Sequence, residues 1–486
     1  MGRLIKNELI KIFKKKSLYI TLIIIFAFMI FTNCMYKGMN NNYYYGYEYS
    51  EENVNYLKEQ LKALNPEKSS DISMYIDTKS QIDMYEMMKE YEYGSWQQQI
   101  IGEKLSNYFR EKNMYQYGEE KDEQKVNEMQ VKIDEIKQKL DTDDWMYFAK
   151  QDLEEANLKL NQLEEQEKET VDKQVLQSLA QDIEAVKVDK LLAEYRINKE
   201  IKYGNDFMNQ ALRNYESSAN ELIRYDSLDR ELTYEEKRQY NDLLENREQN
   251  KYVLENNVDI DGMNLKKIFE NFFSEFGIYI LVIIVMIAGT IVSEEFNKGT
   301  IKLLLVKPYS RSKILASKFI TTLIMIAFVI VVMAVMEFVI GGVVFGFDSL
   351  SIPVVEYNFD LGSIQTINVF EYLGIQVLTQ LPMFILLATL AFVLSTLFSN
   401  SALAITISLL GYMSTSIINQ LAIVYNIQFL KYFVTMNWDL SQYLFGGLPL
   451  MDGMSMVMSI VICMVYFLIM VIPTWIIFKK RNIKNI

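Results

Sequence analysis

The chain of 486 residues has no histidine and only two cysteines, Cys34 and Cys463. Without histidine, Ser-His-Asp triads, H-E-x-x-H zinc sites and imidazole bases are excluded. Because both cysteines lie in or beside apolar runs, thiolate metal sites and a disulfide across a water-exposed domain are excluded as well. No G-x-x-x-x-G-K-[ST] sequence occurs, so the chain has no P-loop for nucleotide phosphates. We therefore expect no catalytic and no metal-binding residues, and an energy source outside this chain.

Charge is scarce in six long apolar runs. Each run covers about 17 residues or more, and a bilayer core about 30 Å thick is crossed by about 20 helical residues. Backbone groups in hydrocarbon have to pair within their own segment, so these runs predict transmembrane helices. The runs are residues 18–36, 277–293, 319–347, 373–398, 402–425 and 455–478.

The segment between the first two runs has the opposite composition. Residues 37–275 contain 52 Asp and Glu against 32 Lys and Arg, which gives −20 where the whole chain has −13. Proline is nearly absent, with Pro66 alone in this segment, and this favours long helices over a strand-rich sandwich. An acidic surface repels phosphates, so we expect no nucleic-acid partner. The segment predicts a helical domain that folds in water.

Apolar spacing within this domain is typical of coiled coils. Steps of three and four residues connect two sets of apolar side chains, and a capping sequence "DTDDW" at 141–145 separates the sets. The spacing predicts two antiparallel helices in a coiled-coil-like arrangement. The two sets are Val126, Met129, Ile133, Ile136 and Leu140, and then Leu153, Ala156, Leu160 and Leu163.

Basic residues are concentrated in three short segments, at Arg3–Lys16, Lys298–Lys318 and Lys479–Lys484. Lys and Arg in short loops mark the cytoplasmic side of a membrane, and six spans place all three segments on the same side. We therefore predict a multi-pass protein of the cytoplasmic membrane with both termini inside. The 37–275 domain and the loops near 348–371 and 426–454 are then extracellular, and the first span is an uncleaved anchor because no A-x-A site follows it.

The polar stretch at 294–318 reads "EEFNKGTIKLLLVKPYSRSKILASK". Its order of acidic residue, Gly-Thr, apolar turn, Pro, Ser-Arg and Lys resembles the signature of type-2 ABC exporter permeases. One departure is Ser317, where many relatives have Gly. The resemblance covers this motif and the six-span layout but not the large extracellular domain. The matching positions are Glu294, Glu295, Gly299, Thr300, Pro308, Arg311 and Lys318.

The resemblance implies partners and a mechanism. The segment 294–317 would form a cytoplasmic coupling helix that docks on a separate ATPase subunit, and that subunit would bind ATP and Mg. The family works as two permease halves, identical or paralogous, and exports substrates such as peptides, antibiotics or lipids by alternating access. Apolar "TIKLLL" next to charged residues suits a protein groove. A basic loop that merely follows the positive-inside rule is the simpler alternative.

Two further features bear on transport. In residues 1–16, Leu4, Ile5, Leu9, Ile12 and Phe13 share one helical face, which predicts an interfacial elbow helix in contact with membrane lipids. Polar side chains also occur inside the apolar runs. An ionisable group there is protonated, paired or facing water, so Glu337 is a candidate for the substrate pathway, unless it reaches the interface. The remaining pathway candidates are Gln376, Gln380 and Asn419, and such residues also serve helix packing.

These observations predict an all-α polytopic membrane protein. We expect an elbow helix at 1–16, a first transmembrane helix at 17–36, a helical extracellular domain at 37–275, and five further spans with the coupling segment in 276–486. The expected function is that of a non-enzymatic permease subunit of an ABC exporter. The alternative is a receptor, scaffold or secretion-apparatus component that acts through the large domain without transporting anything.

Overall fold

The computed structural model describes residues 1–39, 50–300 and 309–481. It divides into two compact units. We call the first the membrane unit; it comprises Met1–Asn41, Thr233–Asn241 and Ile260–Ile486. The second, here the inserted unit, comprises Asn42–Leu232 and Asp242–Asp259. The inserted unit therefore interrupts the membrane unit after its first long helix.

The amino-terminal half of the chain is helical in both units. The membrane unit begins with α1 (Gly2–Phe13) and α2 (Lys16–Met39). The inserted unit follows with α3 (Glu51–Ala63), α4 (Ser69–Met88), α5 (Trp96–Ile100), a π-helical turn (Ile101–Leu105), α6 (Ser106–Tyr117), α7 (Glu123–Asp141), α8 (Trp145–Glu169), α9 (Lys173–Asn198) and α10 (Phe207–Asp226). The next helix, α11 (Tyr234–Asn256), contributes residues to both units.

The carboxyl-terminal half contains the remaining long apolar helices and one β-hairpin. In order these elements are α12 (Leu265–Glu270), α13 (Phe272–Thr290), α14 (Ser293–Asn297), α15 (Arg311–Phe345), a 3₁₀ turn (Asp348–Ser351), β1 (Val354–Asn358), β2 (Ser363–Ile367), α16 (Val369–Phe398), α17 (Ser401–Val424), a 3₁₀ turn (Gln428–Tyr432), α18 (Val434–Asn437), a 3₁₀ turn (Ser441–Gly446) and α19 (Met456–Lys480).

Six helices in the described part of the chain are long and apolar enough to cross a membrane. We number them span 1 to span 6; they are α2, α13 with α14, α15, α16, α17 and α19. Each overlaps one of the predicted apolar runs, so the prediction of six helices long and apolar enough to span a membrane is confirmed. Span 3 has 35 residues, or about 50 Å of helix, and so extends well beyond a bilayer core.

The spans differ in how deeply they are buried within the membrane unit. The buried share of the apolar stretch is 72% in span 2 and 61% in span 4, against 11% in spans 5 and 6. Spans 2 and 4 pack on each other, and Phe276, Ile280 and Phe384 are almost inaccessible to solvent. Spans 2 and 4 therefore form the centre of this unit, and spans 5 and 6 lie at its surface.

The inserted unit has its own apolar core. Met88, Ile100, Leu105, Ile133 and Phe148 belong to one buried cluster. The predicted apolar stripe of α7 is buried, as its spacing requires, but its packing partner differs from the prediction. Helix α7 packs mainly on α6, and α8 mainly on α9, whereas α7 and α8 contact each other far less. Heptad spacing identifies a buried face but not the helix that covers it.

The prediction of an all-α fold needs one correction, because β1 and β2 form an antiparallel hairpin. Val354 pairs with Ile367 at its open end, and both side chains are buried. The turn is closed by Asn358, whose side-chain oxygen accepts from two backbone amides, and by Gly362 with φ +64°. β-branched residues on the buried positions and a glycine in the left-handed region favour a hairpin in this short connection. The fold is mostly helical rather than all-α.

Candidate functional site

Helix α1 lies against the beginning of span 3. Its most buried side chains are Leu4, Glu8 and Ile12, one turn apart on a single face. Phe13 makes an edge-to-face contact with Phe328 of span 3, with ring centroids 5.0 Å apart. The amphipathic pattern of residues 1–16 therefore does produce a helix, but its buried face has a carboxylate at its centre.

That carboxylate belongs to a group of four charged side chains, which we call the ion cluster: Glu8, Lys11, Glu295 and Lys318. The Lys318 ammonium donates to Glu8 Oε2 at 2.7 Å, to the Ile291 carbonyl at 2.9 Å and to Glu295 Oε1 at 3.3 Å. Lys11 donates to Glu295 Oε1 at 2.7 Å and to Glu8 Oε1 at 3.2 Å. The ion cluster thus joins α1, span 2 and span 3.

The charges of the ion cluster balance, with two carboxylates facing two ammonium groups. The Lys318 side chain is only 2% exposed, and its three N–H donors match the three acceptors around it. The fourth carboxylate oxygen, Glu295 Oε2, accepts from the Thr300 hydroxyl. Burial alone lowers the pKa of Lys11, but the hydrogen bond to Glu295 and the charge of Glu8 outweigh burial and raise this pKa. Full satisfaction is the condition under which buried charges are stable.

Glu294 has a more open environment than Glu295. Its carboxylate pairs with Lys15 at 2.7 Å and with Lys298 at 3.3 Å. Lys15 also donates to the Thr290 hydroxyl at 3.1 Å. Adjacent acidic residues of the motif therefore face different ways, with Glu294 toward the surface and Glu295 toward the interior.

Two arginines connect the same end of the unit to span 4 and span 6. Arg311, the first residue of span 3, donates to the carbonyl of Arg481 at 2.6 Å. Arg481 in turn donates to the Thr396 carbonyl of span 4 at 2.8 Å, and its guanidinium lies 4.6 Å from the centre of the Phe296 ring. The described residues of the three basic segments therefore lie at one end of the membrane unit.

Among the described residues of the motif, Asn297, Lys298 and Gly299 form a short exposed stretch next to Glu295, which we call the tip. Gly299 has φ +68°, and a Cβ atom there would touch nothing within 4 Å, so backbone conformation rather than crowding calls for glycine. Residues 301–308, which include Pro308 and most of the apolar "TIKLLL" stretch, lie outside the described residues. The described part of the motif contains the exposed tip and an interior pair, Glu295 and Lys318, that ties it to the spans.

Sequence reasoning missed Glu8 and its partner Lys11 as site residues. Positions 4, 8 and 12 are one turn apart, so a single acid between Leu4 and Ile12 was a signal that the buried face contains a carboxylate. Such a group requires a cation, and Lys318 supplies it from 310 positions further along the chain.

The four pathway candidates each have a separate hydrogen-bond partner. Glu337 accepts from Asn33 of span 1, and neither residue is exposed. Gln376 donates to the Glu270 carbonyl, Gln380 to Asp439, and Asn419 to the Thr435 carbonyl. None of these bonds links one candidate to another. Glu337 is buried within the membrane unit, and the role of the four residues in a pathway stays a prediction.

The described residues contain no group of three or more Cys, Asp or Glu side chains arranged to hold a metal ion. The ion cluster is electrically neutral, and its ammonium groups occupy the positions next to the carboxylates. The ion cluster therefore holds α1, span 2 and span 3 together through ion pairs.

The chain is similar to proteins whose printed descriptions state no function. Residues 243–484, which include spans 2 to 6, match the family described as "Protein of unknown function (DUF2705)". "Uncharacterized protein YhcI" from Bacillus subtilis (strain 168) is 32% identical over 49% of this chain and 75% of its own length. "Uncharacterized membrane protein YdbK" from the same organism is 28% identical over 41% of this chain and 76% of its own length. No solved structure matches the chain. Through this region and these relatives, the chain belongs to the DUF2705 family.

Proposed function

We propose that this chain is the permease subunit of an ATP-driven ABC exporter, which moves a peptide, antibiotic or lipid-like substrate across the cytoplasmic membrane. Its partners are ABC ATPase subunits, which bind ATP and Mg, and a second permease half, identical or paralogous. The chain itself contributes no catalytic residue to ATP hydrolysis.

One observation carries the proposal. The motif that resembles the signature of type-2 ABC permeases has an exposed tip at Asn297–Gly299, and directly beside the tip Glu295 is tied to Lys11 and Lys318. A displacement of the tip is therefore transmitted to α1 and to the start of span 3. A coupling segment has to do this, because motion at the ATPase is useful only if the spans follow it.

The proposed orientation follows from charge. The end of the membrane unit that contains the ion cluster also contains the three basic segments, and we place it in the cytoplasm by the positive-inside rule. The inserted unit, with its acidic composition and coiled-coil-like helices, is then extracellular. Its proposed role is to gather substrate or a partner protein outside the cell.

The mechanism supported by this arrangement is alternating access. ATP closes the ATPase dimer, the two coupling tips move with it, and the ion cluster transmits the movement to α1, span 2 and span 3. For ATP binding to shift the spans, the tip has to bind the ATPase with different affinity in the two states.

The test uses two matched glycines. A tagged full-length chain is purified in mild detergent with its native membrane partners, and the recovered P-loop ATPase is quantified. Gly299→Trp places a bulky ring on the tip, whereas Gly362→Trp places the same ring on the hairpin turn at the opposite predicted side. Both glycines have positive φ, +68° and +64°, and neither crowds a Cβ, so backbone strain is matched.

We expect the ATPase to accompany the wild type and Gly362→Trp, and to be depleted at least tenfold from Gly299→Trp, since a loss of about 1.4 kcal/mol suffices. Absence of any ATPase from the wild type would favour the receptor or scaffold function instead. Equal recovery with both variants would remove residues 297–299 from the docking surface.

A further inference from the structure

Far from the ion cluster along span 3 lies a second buried polar site, formed by Asn33 of span 1 and Glu337. Neither side chain is exposed. The Asn33 amide donates one N–H to the Met29 carbonyl at 2.9 Å and the other to Glu337 Oε2 at 3.2 Å. This pair is the polar contact that the structure shows between Asn33 and span 3.

The orientation of the amide is fixed by these two bonds. If the amide were turned over, its oxygen would face the Met29 carbonyl, and two acceptors would meet in a buried site. Both hydrogens of Nδ2 are therefore in use, and Oδ1 points away from the Met29 carbonyl.

Two oxygen atoms at this site have no donor within the described structure, Asn33 Oδ1 and Glu337 Oε1. Both face the same point on span 3. A Cβ atom built at Gly341 would lie 2.7 Å from Glu337 Oε1 and 3.5 Å from Asn33 Oδ1. The two unsatisfied acceptors therefore converge beside this glycine.

The ionised and the protonated form of Glu337 differ in how many hydrogen-bond donors they bring to this site. An ionised Glu337 would face Asn33 with three acceptor oxygens and one N–H between them. Buried acceptors without donors are costly, and a buried anion without a cation is more so. A protonated carboxyl has one donor and one acceptor, as a primary amide edge does, and the two groups are complementary.

We propose that Glu337 carries a proton on Oε1 and that its neutral carboxyl forms a reciprocal pair with the Asn33 amide. In this pair the carboxyl O–H donates to Asn33 Oδ1, and the Asn33 N–H donates to Glu337 Oε2. We call it the carboxyl–amide latch; it fastens span 1 to span 3. The proton comes from water when the site assembles, and no other reactant is needed. The proposal does not depend on the exporter function.

The charged groups nearby leave the carboxyl without a counter-ion. Glu275 of span 2, the other acid that acts electrostatically on Glu337, accepts from the Tyr36 hydroxyl at 2.6 Å. Lys37 donates to the Val344 carbonyl, and Lys266 to the Ile260 carbonyl, besides its ion pair with Glu270. No lysine or arginine of the described ranges donates to Glu337, so a proton takes the place that cations have in the ion cluster.

The lack of a side chain at Gly341 leaves room for the carboxyl–amide latch. A methyl group there would lie 2.5 Å from Leu265 Cδ1 as well as 2.7 Å from Glu337 Oε1, closer than real contacts allow. Gly374 on span 4 is the matched control, because a Cβ there would touch nothing within 4 Å.

The test is infrared spectroscopy of the purified full-length chain at neutral pH, combined with thermal unfolding. The C=O stretch of a protonated carboxyl lies above the amide bands and disappears in Glu337→Gln. We expect this band in the wild-type-minus-Glu337→Gln difference spectrum. Its frequency should shift in Asn33→Leu, which removes the partner, and in Gly341→Ala, but not in Gly374→Ala.

Thermal unfolding supplies the second readout. Gln at 337 forms an amide–amide pair of the same shape, so Glu337→Gln should unfold near the wild-type temperature, and Glu337→Leu clearly below it. Absence of the band would overturn the latch. So would a Glu337→Gln variant clearly more stable than wild type, because that gain would show a buried anion in the native protein. If Asn33→Leu fails to fold, the difference spectrum of Glu337→Gln alone decides.

Discussion

Buried carboxyl groups are stabilised in different ways at two sites beside span 3. Glu8 and Glu295 at the ion cluster have Lys11 and Lys318 as counter-ions, while Glu337 has only the amide of Asn33. The sites are 19 positions apart, from Lys318 to Glu337, or about 28 Å along the helix. The first lies beyond the apolar stretch, where charges are tolerated, and the second lies inside it. With the proposed proton on Glu337, the carboxylates at the edge of the apolar run are stabilised by cations and the carboxyl inside it by a proton.

The largest effect is expected at Lys318. Lys318→Met leaves the Glu8 and Glu295 carboxylates with only Lys11 between them, and breaking a buried ion pair from one side costs about 3–5 kcal/mol. Chemical or thermal unfolding of the purified chain in detergent measures this loss. Lys313→Met, on the exposed face of the same helix, is the control, and equal stability of the two variants would contradict the assigned role of the ion cluster.

The two adjacent acids of the motif should differ in the next largest effect. Glu295→Gln removes a charge that faces two ammonium groups in a buried site, so we expect a loss of about 1.5–3 kcal/mol. Glu294→Gln removes a partly exposed charge, and exposed pairs contribute about 0–1 kcal/mol. Unfolding of both variants under the same conditions tests this difference. A larger loss for Glu294→Gln would reverse the orientation of the two side chains.

The carboxyl–amide latch should respond differently from an ion pair when both partners are replaced. Asn33→Leu or Glu337→Leu alone leaves a buried polar group without a partner, at a cost of about 1–3 kcal/mol. The double variant leaves none, so its loss should be smaller than the sum of the single losses by about 0.5–3 kcal/mol. A double-mutant cycle of unfolding free energies measures this coupling. Strict additivity would show that the two side chains do not act as a pair.

The smallest effect concerns an acid of the inserted unit, Glu216. It lines a cavity of about 470 Å³, and partial desolvation, with the charges of Asp189 and Glu103, raises its pKa. No described donor or cation pairs with it. Its pKa is higher in the folded than in the unfolded state, so ionisation costs stability at neutral pH, and this cost disappears as the pH falls through the raised pKa.

Glu216→Gln should therefore raise the unfolding temperature of the inserted unit at neutral pH, and the gain should fade in acid. We expect about 0.5 kcal/mol or less, because solvent screens a partly exposed charge. Glu154→Gln, on an exposed position of α8, is the control. A gain that is independent of pH, or equal in the control, would show that ionisation of Glu216 is not its source.

Sequence reasoning identified half of the ion cluster. Glu295 and Lys318 belong to the motif, whereas Glu8 and Lys11 come from a helix that pattern alone described as an apolar face with a basic remainder. The motif also did not reveal which of its two acids faces inward. Side chains of adjacent residues point in different directions from a helix. The packing of α1 and span 3 determines which of the two acids faces the interior.

The packing of the inserted unit was predictable only in part. The spacing of Met129, Ile133, Ile136 and Leu140 shows that α7 buries one face, and this face is buried. Its partner is α6 rather than α8. Any helix with an apolar stripe of similar width could bury this face of α7. The fit of side chains across the whole unit therefore determines which two helices pack together.

By itself the sequence determined the six spans, because crossing hydrocarbon requires about 20 apolar residues in a row and that requirement is local. It also determined the composition of the inserted unit and the presence of an amphipathic α1. Only the tertiary structure decided which cation meets which carboxylate, that Asn33 faces Glu337, and that a glycine at 341 leaves room for both. Each of these contacts joins side chains that are hundreds of positions apart or depends on such a contact, and a buried polar group is stable only with the partner that folding brings to it.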